Sequence, residues 1–301
     1  MTSVVTRALK VVAALALAGC AETAAAAAAT SVLKPPPLPP PSAQGVRVVG
    51  VWEAHRDVTA EDSRALFADL ASRGYRVVDV SAVAGEGGAR IASVWQLADG
   101  AAWEEHHELT AEQLARTSTE LSARGARLAR VSASQTDDGA RFAAIWEAGD
   151  PRGARLEIAL DAAALTEELA SAATRGERLA DLAGYDDGAG ERFVAAWEPG
   201  DPTTQLVSFG VTRAEIDARL ADVSARSWGL QRLGAYAIDG QLRYVVLGLA
   251  GGYPSWLTRT EVAEEDFQLS FDELVAHGLR LVQLSAVRLD GRVRYTLVWN
   301  A

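Results

Sequence analysis

The sequence almost lacks two residue types on which many enzymes depend. It has a single cysteine, Cys20, and no lysine after Lys34. These absences exclude cysteine nucleophiles, phosphate-binding lysines, Schiff-base lysines and lysine bases from the rest of the chain. Of the four histidines, His55 and His106 share a repeat position without an evident third ligand, which makes a poor metal site. We therefore expect neither a metal nor a cofactor.

Positive charge is also scarce. The chain has 29 Lys and Arg against 40 Asp and Glu, a formal net charge of −11. Because nucleic-acid binding relies on clustered cations that neutralise phosphates, this balance argues against a nucleic-acid partner.

Residues 1–19 have the form of an export signal. A basic start precedes an apolar run over 11–17 that is too short to span a bilayer. The run ends in Leu-Ala-Gly-Cys at 17–20, which resembles the bacterial lipoprotein signal, in which the cysteine is lipidated. The resemblance predicts that Cys20 anchors the protein to the membrane. The alternative is an ordinary signal peptide cleaved in the alanine-rich stretch that follows.

The segment 20–46 is rich in alanine and proline and is predicted to be an extended tether. By resemblance to the Gram-negative sorting rule, Ala21 after the cysteine favours the outer membrane. The sequence thus predicts an exported protein held at the bacterial cell envelope.

The rest of the chain is one pattern written five times with a period of 51 residues. Small residues recur at this spacing at Gly74, Gly125, Gly176, Ser227 and Gly278. The period divides 47–301 into the units 47–97, 98–148, 149–199, 200–250 and 251–301. A period of this length indicates repeats that share their cores, so we expect one domain.

Each unit is predicted to be strand, helix, strand, strand. Thr110 and Gln113 form a capping pair before a helix with one apolar face. In the next strand, apolar positions three residues apart indicate a β-bulge in every unit. Dipeptides such as Asp239-Gly240 favour a tight hairpin into the last strand. The fold class is therefore α+β: an antiparallel sheet with helices on one face, in a curved or half-barrel array.

The pattern Trp-x-x-His, a threonine-capped helix, Gly-x-Arg-Leu and Arg-aromatic-x-x-x-Trp resembles the bacterial tandem repeat domain. The same repeat occurs in the N-terminal part of secreted fungal polyglycine hydrolases. The resemblance implies that hydrolysis by those enzymes takes place in a separate β-lactamase-like domain with a Ser-x-x-Lys motif. Here the motif occurs at 31–34, within the tether, and we do not expect it to be a nucleophile.

Tryptophans fall on two repeat positions. One set closes the last strand of a unit: Trp95, Trp146, Trp197 and Trp299. The other opens the first strand: Trp52, Trp103 and Trp256. The columns could form a packed core, which their alternation with small residues favours, or a platform for a ligand.

An arginine occupies one position in all five units: Arg90, Arg141, Arg192, Arg243 and Arg294. A guanidinium beside a hairpin can hold the turn by pairing with its acids or carbonyls. The alternative is an arc that binds the carboxylates of an acidic glycan or peptide.

We interpret the protein as a non-catalytic, lipid-anchored repeat module for binding or scaffolding at the cell envelope. Its expected partners are the membrane and an envelope glycan or peptide. A hydrolase of peptide or cell wall is the alternative, and a structural spacer is a third hypothesis. The absence of a nucleophile paired with a base favours the non-catalytic interpretation.

Overall fold

The computed structural model describes residues 3–7, 31–33, 52–85, 87–98, 100–253 and 255–301. Cys20, the predicted lipid anchor, lies outside these residues. Two short strands precede the repeats, β1 (Ser3–Arg7) and β2 (Ser31–Leu33). No helix among the described residues is long and apolar enough to cross a membrane.

All five units have the predicted order of strand, helix, strand, strand. The first strands are β3 (Trp52–Thr59), β6 (Trp103–Leu109), β9 (Arg155–Leu160), β12 (Gln205–Thr212) and β15 (Trp256–Ala263). The helices are α1 (Ala60–Ser72), α2 (Ala111–Ala123), α3 (Ala162–Arg175), α4 (Ile216–Ala225) and α5 (Phe267–Ala276). The middle strands are β4 (Tyr75–Gly85), β7 (Ala126–Thr136), β10 (Glu177–Asp186), β13 (Gly229–Ile238) and β16 (Arg280–Leu289). The last strands are β5 (Gly88–Leu97), β8 (Gly139–Ala148), β11 (Glu191–Pro199), β14 (Gln241–Leu249) and β17 (Arg292–Asn300).

Each unit forms a three-stranded antiparallel sheet in which the last strand is central, between the first and the middle strands. In units one and two, β2 and β1 add a fourth strand by pairing with β3 and β6. The hairpin at Asp239-Gly240 has φ of 50° and 70°, as a two-residue turn of this kind requires.

Local signals in the sequence are reproduced. The Thr110 hydroxyl accepts a hydrogen bond from the Gln113 backbone N–H, and the Gln113 side chain accepts one from the Thr110 N–H. The predicted bulge is present at one position of the middle strand in every unit. In units four and five the helix begins later, at Ile216 and Phe267. In unit four the Glu215 carboxylate still accepts from the Thr212 backbone N–H and hydroxyl.

The five units close into a ring. The middle strands lie at its centre, where each packs against the next, and β16 of unit five packs against β4 of unit one. At that closure the Ala286 N–H donates to the Ser81 hydroxyl at 3.0 Å. The α+β prediction is confirmed, and the predicted curvature continues until the array closes.

Adjacent units meet at five interfaces, which we call seams 1/2, 2/3, 3/4, 4/5 and 5/1. At each seam the helix and one sheet face of a unit pack against the opposite sheet face of the next. Each seam therefore has a hydrophobic core of its own that contains residues of both units. No unit buries its apolar faces alone, which is the arrangement expected of repeats with a shared core.

Candidate functional site

A column of polar residues follows the bulge of each middle strand and lines the ring axis. Its members, 51 residues apart, are Asp79, Arg130, Asp181, Arg232 and Gln283. Arg232 is 2% exposed and joins three other units. Its Nη1 donates to Asp79 at 2.9 Å and its Nη2 donates to the Val131 carbonyl at 3.0 Å. Its Nε lies 3.6 Å from an Asp181 oxygen.

The two carboxylates of this axial column also tie their units to the preceding ones. Asp181 accepts from the backbone N–H of Val131 at 2.7 Å. Asp79 accepts from Leu284 at 2.7 Å, across the closure of the ring. Burial disfavours a charged guanidinium, but Asp181 and Asp79 outweigh it and raise the pKa of Arg232. The column is therefore a buried, hydrogen-bonded ion network that holds the ring together.

The odd number of units explains the neutral member of the axial column. Charges alternate from Asp79 to Arg232, and in a ring of five such alternation must fail once. Gln283 stands at that place, between Arg232 and Asp79. Its amide accepts from the Leu233 N–H at 3.0 Å and donates to the Leu230 carbonyl at 3.1 Å. A neutral amide meets these backbone groups without adding an unpaired buried charge.

One end of the axis opens into a depression of about 490 Å³, which we call the axial mouth. All five units line it. An arc of alternating charge runs along its wall in the order Arg76, Glu147, Arg127, Glu198, Arg178. The opposite wall carries Gln231, Leu249 and Val282 and is uncharged.

The arc begins and ends with arginine, so it has one more guanidinium than carboxylate. Arg76 donates to Glu147 at 2.6 Å, and Arg178 donates to Glu198 at 2.8 and 3.0 Å. The Arg127 guanidinium lies 3.8 Å from Glu147 and 3.6 Å from Glu198, too far for hydrogen bonds. Arg127 is also the most exposed arginine of the arc, at 37%. An acidic protein thus presents a local excess of positive charge.

The other end of the axis, near the hairpins, holds a smaller cavity of about 60 Å³. Side chains of the five middle strands line it, among them Gln135, Tyr185, Tyr236 and Arg288. Arg288 donates to the carbonyls of Ala84 and Gly291. Because this space is small and Arg288 is already paired, the axial mouth is the better candidate for a ligand.

The predicted arginine column lies beside the hairpins. Arg141 donates to the carbonyls of Asp138 and Ala140, and Arg192 lies 3.0 Å from the Asp187 carboxylate. Arg243 donates to the Gln241 side chain and the Leu242 carbonyl, and Arg90 lies 3.6 Å from Asp57. Arg294 completes the column and is half-buried like the others. The contacts of Arg141, Arg192 and Arg243 are those of the turn-holding interpretation. Asp57 belongs to the first strand, so the contact of Arg90 lies outside its hairpin.

The predicted tryptophan columns lie in the seams. Trp95, Trp146, Trp197 and Trp299 are at most 2% exposed. Trp52 and Trp103 are 6% and 5% exposed, and the half-buried Trp256 donates its indole N–H to the Trp228 carbonyl. The rings of Trp52 and Trp103 therefore offer a ligand no open face.

A serine, a histidine and a carboxylate meet in seam 1/2. His107 Nε2 lies 3.1 Å from Ser63 Oγ, and its Nδ1 lies 3.0 Å from Glu105. All three residues are 0% exposed. Burial would lower the pKa of His107, but the hydrogen bond and charge of Glu105 outweigh it, so the pKa is raised. The Ser63 hydroxyl donates to the Ala60 carbonyl at 2.8 Å. The serine proton is directed to a backbone carbonyl instead of the imidazole, and the group is closed to solvent, so it is not poised for nucleophilic attack.

Two functional features escaped the sequence reasoning. The axial column is visible as a polar residue at a period of 51 inside an apolar strand, but the prediction for this strand used only its apolar positions. Arg76, Arg127 and Arg178 also recur at this period and lie in the predicted Gly-x-Arg-Leu pattern. A search for polar columns would have found both sets. Their convergence on one axis could not be predicted, because it depends on ring closure. Within the described part of the chain no group of three or more His, Cys, Asp or Glu residues could hold a metal ion.

Comparison with known families finds three matches. The family described as "Polyglycine hydrolase-like, structural repeat" matches residues 50–97, 100–149 and 254–301. These segments correspond to units one, two and five. No curated protein matches the chain. The unmatched units three and four are those in which Ala154, Gln205 and Gly248 replace column tryptophans.

Proposed function

We propose that this chain, three of whose units match the polyglycine hydrolase-like structural repeat, is a non-catalytic module that binds an acidic glycan of the cell envelope. The axial mouth is the binding site. The observation that carries the proposal is the arginine-rich arc on the wall of the mouth, in a protein with net charge −11.

Arg127 is the residue that would meet the carboxylate. Its neighbours Arg76 and Arg178 are each engaged by one glutamate at hydrogen-bonding distance, whereas Arg127 is not. A guanidinium has a planar fork of N–H donors that matches a carboxylate bidentately. The uncharged wall with Leu249 and Val282 faces the same depression and suits the apolar face of a sugar ring.

The buried polar groups support a binding function over hydrolysis. A catalytic site needs groups that converge on a place where a substrate atom can sit. Ser63, His107 and Glu105 converge, but they lie inside seam 1/2 with 0% exposure. The axial mouth is open, but it offers arginines and ion-paired glutamates and no nucleophile with an adjacent base.

We further propose that the module is held at the outer membrane by lipid on Cys20. The support is the Leu-Ala-Gly-Cys sequence at 17–20 and the absence of a second cysteine. A Cys20→Ser variant should appear in the soluble fraction of cells that express it, whereas the parent sediments with membranes. Sedimentation of the variant with membranes would contradict the anchor.

Binding at the axial mouth is tested with oligogalacturonate as the acidic probe and a maltose oligomer of equal length as the neutral one. The protein should bind the acidic probe alone, and more weakly as salt is raised. Arg127→Gln should weaken binding about tenfold or more, since hydrogen bonds to charged groups contribute about 1.5–3 kcal/mol. Arg292→Gln removes the same charge from an exposed position of the last hairpin and serves as the matched control.

Equal affinity of Arg127→Gln and the parent would place the ligand elsewhere. Turnover of either probe, or of a peptide, by the purified protein would contradict the non-catalytic proposal.

A further inference from the structure

Two seams are closed by a triple of aromatic rings. In seam 1/2 the triple is Phe67 of the helix, Trp95 of the last strand and Trp103 of the next unit. Trp95 lies 4.6 Å from Phe67 and 5.7 Å from Trp103 between ring centroids, both in edge-to-face geometry. Such pairs stabilise packing beyond the area they bury.

Seam 5/1 repeats the arrangement with Phe271, Trp299 and Trp52. Here the centroid distances are 5.4 Å between Phe271 and Trp299, 6.2 Å between Trp52 and Trp299, and 5.5 Å between Trp52 and Phe271. The two triples occupy the same repeat positions at opposite ends of the sequence.

Seam 2/3 keeps one ring of the three. Trp146 stands at the position of Trp95 and Trp299, but Ser118 replaces the phenylalanine and Ala154 replaces the second tryptophan. The first strand of unit three also begins one residue late, at Arg155, so that Ala154 lies outside the sheet. Seam 2/3 therefore lacks two of the three aromatic side chains that fill the equivalent position of seams 1/2 and 5/1.

The missing rings leave a cavity of about 330 Å³ that opens to solvent. Ala115, Ser118 and Ser122 of α2 line one wall, and Leu156 and Ala196 of unit three line the other. Trp146 and Leu128 belong to the lining as well. This volume is within the range of small-molecule sites, and its walls combine apolar with hydroxyl groups, as such sites do.

Four buried polar atoms of this lining have no hydrogen-bond partner among the described residues: Trp146 Nε1, Trp197 Nε1, Arg155 Nε and Ser118 Oγ. Trp146 is 0% exposed. Indole nitrogens do not distinguish this seam, since Trp299 Nε1 is likewise unpaired although its seam is filled. Arg155 is engaged by three glutamates through its other nitrogens, so the Ser118 hydroxyl is the distinguishing group. A buried hydroxyl without a partner is costly unless a bound molecule supplies one.

We propose that seam 2/3 is a binding site for a small aromatic molecule with one hydrogen-bonding group, such as an indole. The ring takes the place that Trp103 and Trp52 take in the closed seams, against Trp146, and the polar group bonds to Ser118. The site is separate from the axial mouth and does not depend on the proposed glycan binding.

Calorimetric titration of the full protein with indole tests the proposal. The parent should bind indole saturably at one site. Ala154→Trp restores the second indole of the triple and should abolish binding. Ala163→Trp adds a tryptophan at an exposed position of α3 and should leave binding unchanged. Trp103→Ala opens seam 1/2 but keeps Phe67 where seam 2/3 has Ser118, so it should leave the stoichiometry at one.

Circular dichroism establishes that each variant is folded. If Ala154→Trp does not fold, Ser118→Phe fills the same cavity from the helix side and should weaken binding at least tenfold. The proposal is overturned if the parent shows no saturable binding of indole. It is overturned equally if folded variants that fill the cavity bind indole like the parent.

Discussion

Seams 1/2 and 2/3 are formed by equivalent helices and strands, but different side chains fill them. Seam 1/2 is closed by Phe67, Trp95 and Trp103, and it also buries the polar group of Ser63, His107 and Glu105. In seam 2/3 only Trp146 remains of the aromatic triple, and Leu114, Leu156 and Ile158 take the positions of the polar group.

The comparison shows that one seam can lose its aromatic triple while the other seams keep the five units in a closed ring. Each unit is joined to its neighbours by a seam and by the axial column, so one open seam is supported on both sides. Stability in such arrays is approximately a sum of unit and interface contributions. A closed ring can therefore use one interface for binding while the others hold the structure.

The largest effect is expected when both seams of a unit are removed. The isolated fragment 98–148 loses its partners in seams 1/2 and 2/3, including the unit-one rings that pack on Trp103. It should be largely unfolded by circular dichroism. A cooperative thermal transition of the monomeric fragment would show that the unit has a sufficient core of its own.

The sequence was sufficient for the unit but not for the ring. Thr110 with Gln113, the bulge spacing and Asp239-Gly240 are local signals, and all three were reproduced because they depend on neighbouring residues. Units four and five differ at the helix start, since their helices begin later, at Ile216 and Phe267.

The candidate site depends on contacts between distant residues. Arg232 meets Asp79 across 153 positions, and Leu284 meets Asp79 across 205. Nothing in one unit specifies how many units close a ring, so neither the axial column nor the axial mouth could be placed. The tryptophan columns were visible, but whether a column is core or surface depends on the seam that covers it.

The next largest effect is expected from the loss of Trp103 in seam 1/2. Trp103→Ala should destabilise the protein by about 3–5 kcal/mol, the usual cost of truncating a buried tryptophan. Trp256→Ala is the matched control, because Trp256 has the same repeat position but is half-buried, and its cost should be clearly smaller. Urea denaturation measures both. Equal costs would mean that the Phe67, Trp95 and Trp103 triple adds nothing to seam 1/2.

A pH-dependent difference is expected in seam 1/2, because of His107. Glu105 and Glu108 raise its pKa while burial and Arg64 lower it, and the net pKa is above 6.5. The folded state therefore favours the protonated imidazole. This contribution is fully present below pH 6.5 and is lost as pH rises through the raised pKa.

Comparison of the parent with His107→Gln by urea denaturation measures this contribution. The parent's advantage should shrink between pH 6 and pH 9, by about 1.4 kcal/mol for each unit by which the pKa is raised. Burial lowers the pKa of His55, so that residue contributes in the opposite sense and its effect appears on acidification. An advantage that is constant with pH would indicate a neutral His107, and the Ser63 hydroxyl could then donate to it.

The smallest effect concerns backbone strain in the first strand of unit three. Ala159 has φ of 63°, in the left-handed region, and the equivalent position of unit four is Gly210 with φ of 61°. The left-handed conformation costs a residue with a Cβ roughly 1–2 kcal/mol, which glycine avoids. Glycine also makes the unfolded chain more flexible, and this offsets roughly 0.5–1 kcal/mol of that stabilisation. Ala159→Gly should therefore stabilise the protein by about 0.5–1 kcal/mol in urea denaturation. Ala163→Gly, in the exposed first turn of α3, should have the opposite sign.

The substitution Glu108→Gly, at a position where φ is 58°, should stabilise the protein less than Ala159→Gly does, because Glu108 also supports the charge on His107. A larger gain at Glu108 would mean that strain in the first strand outweighs the electrostatics of seam 1/2.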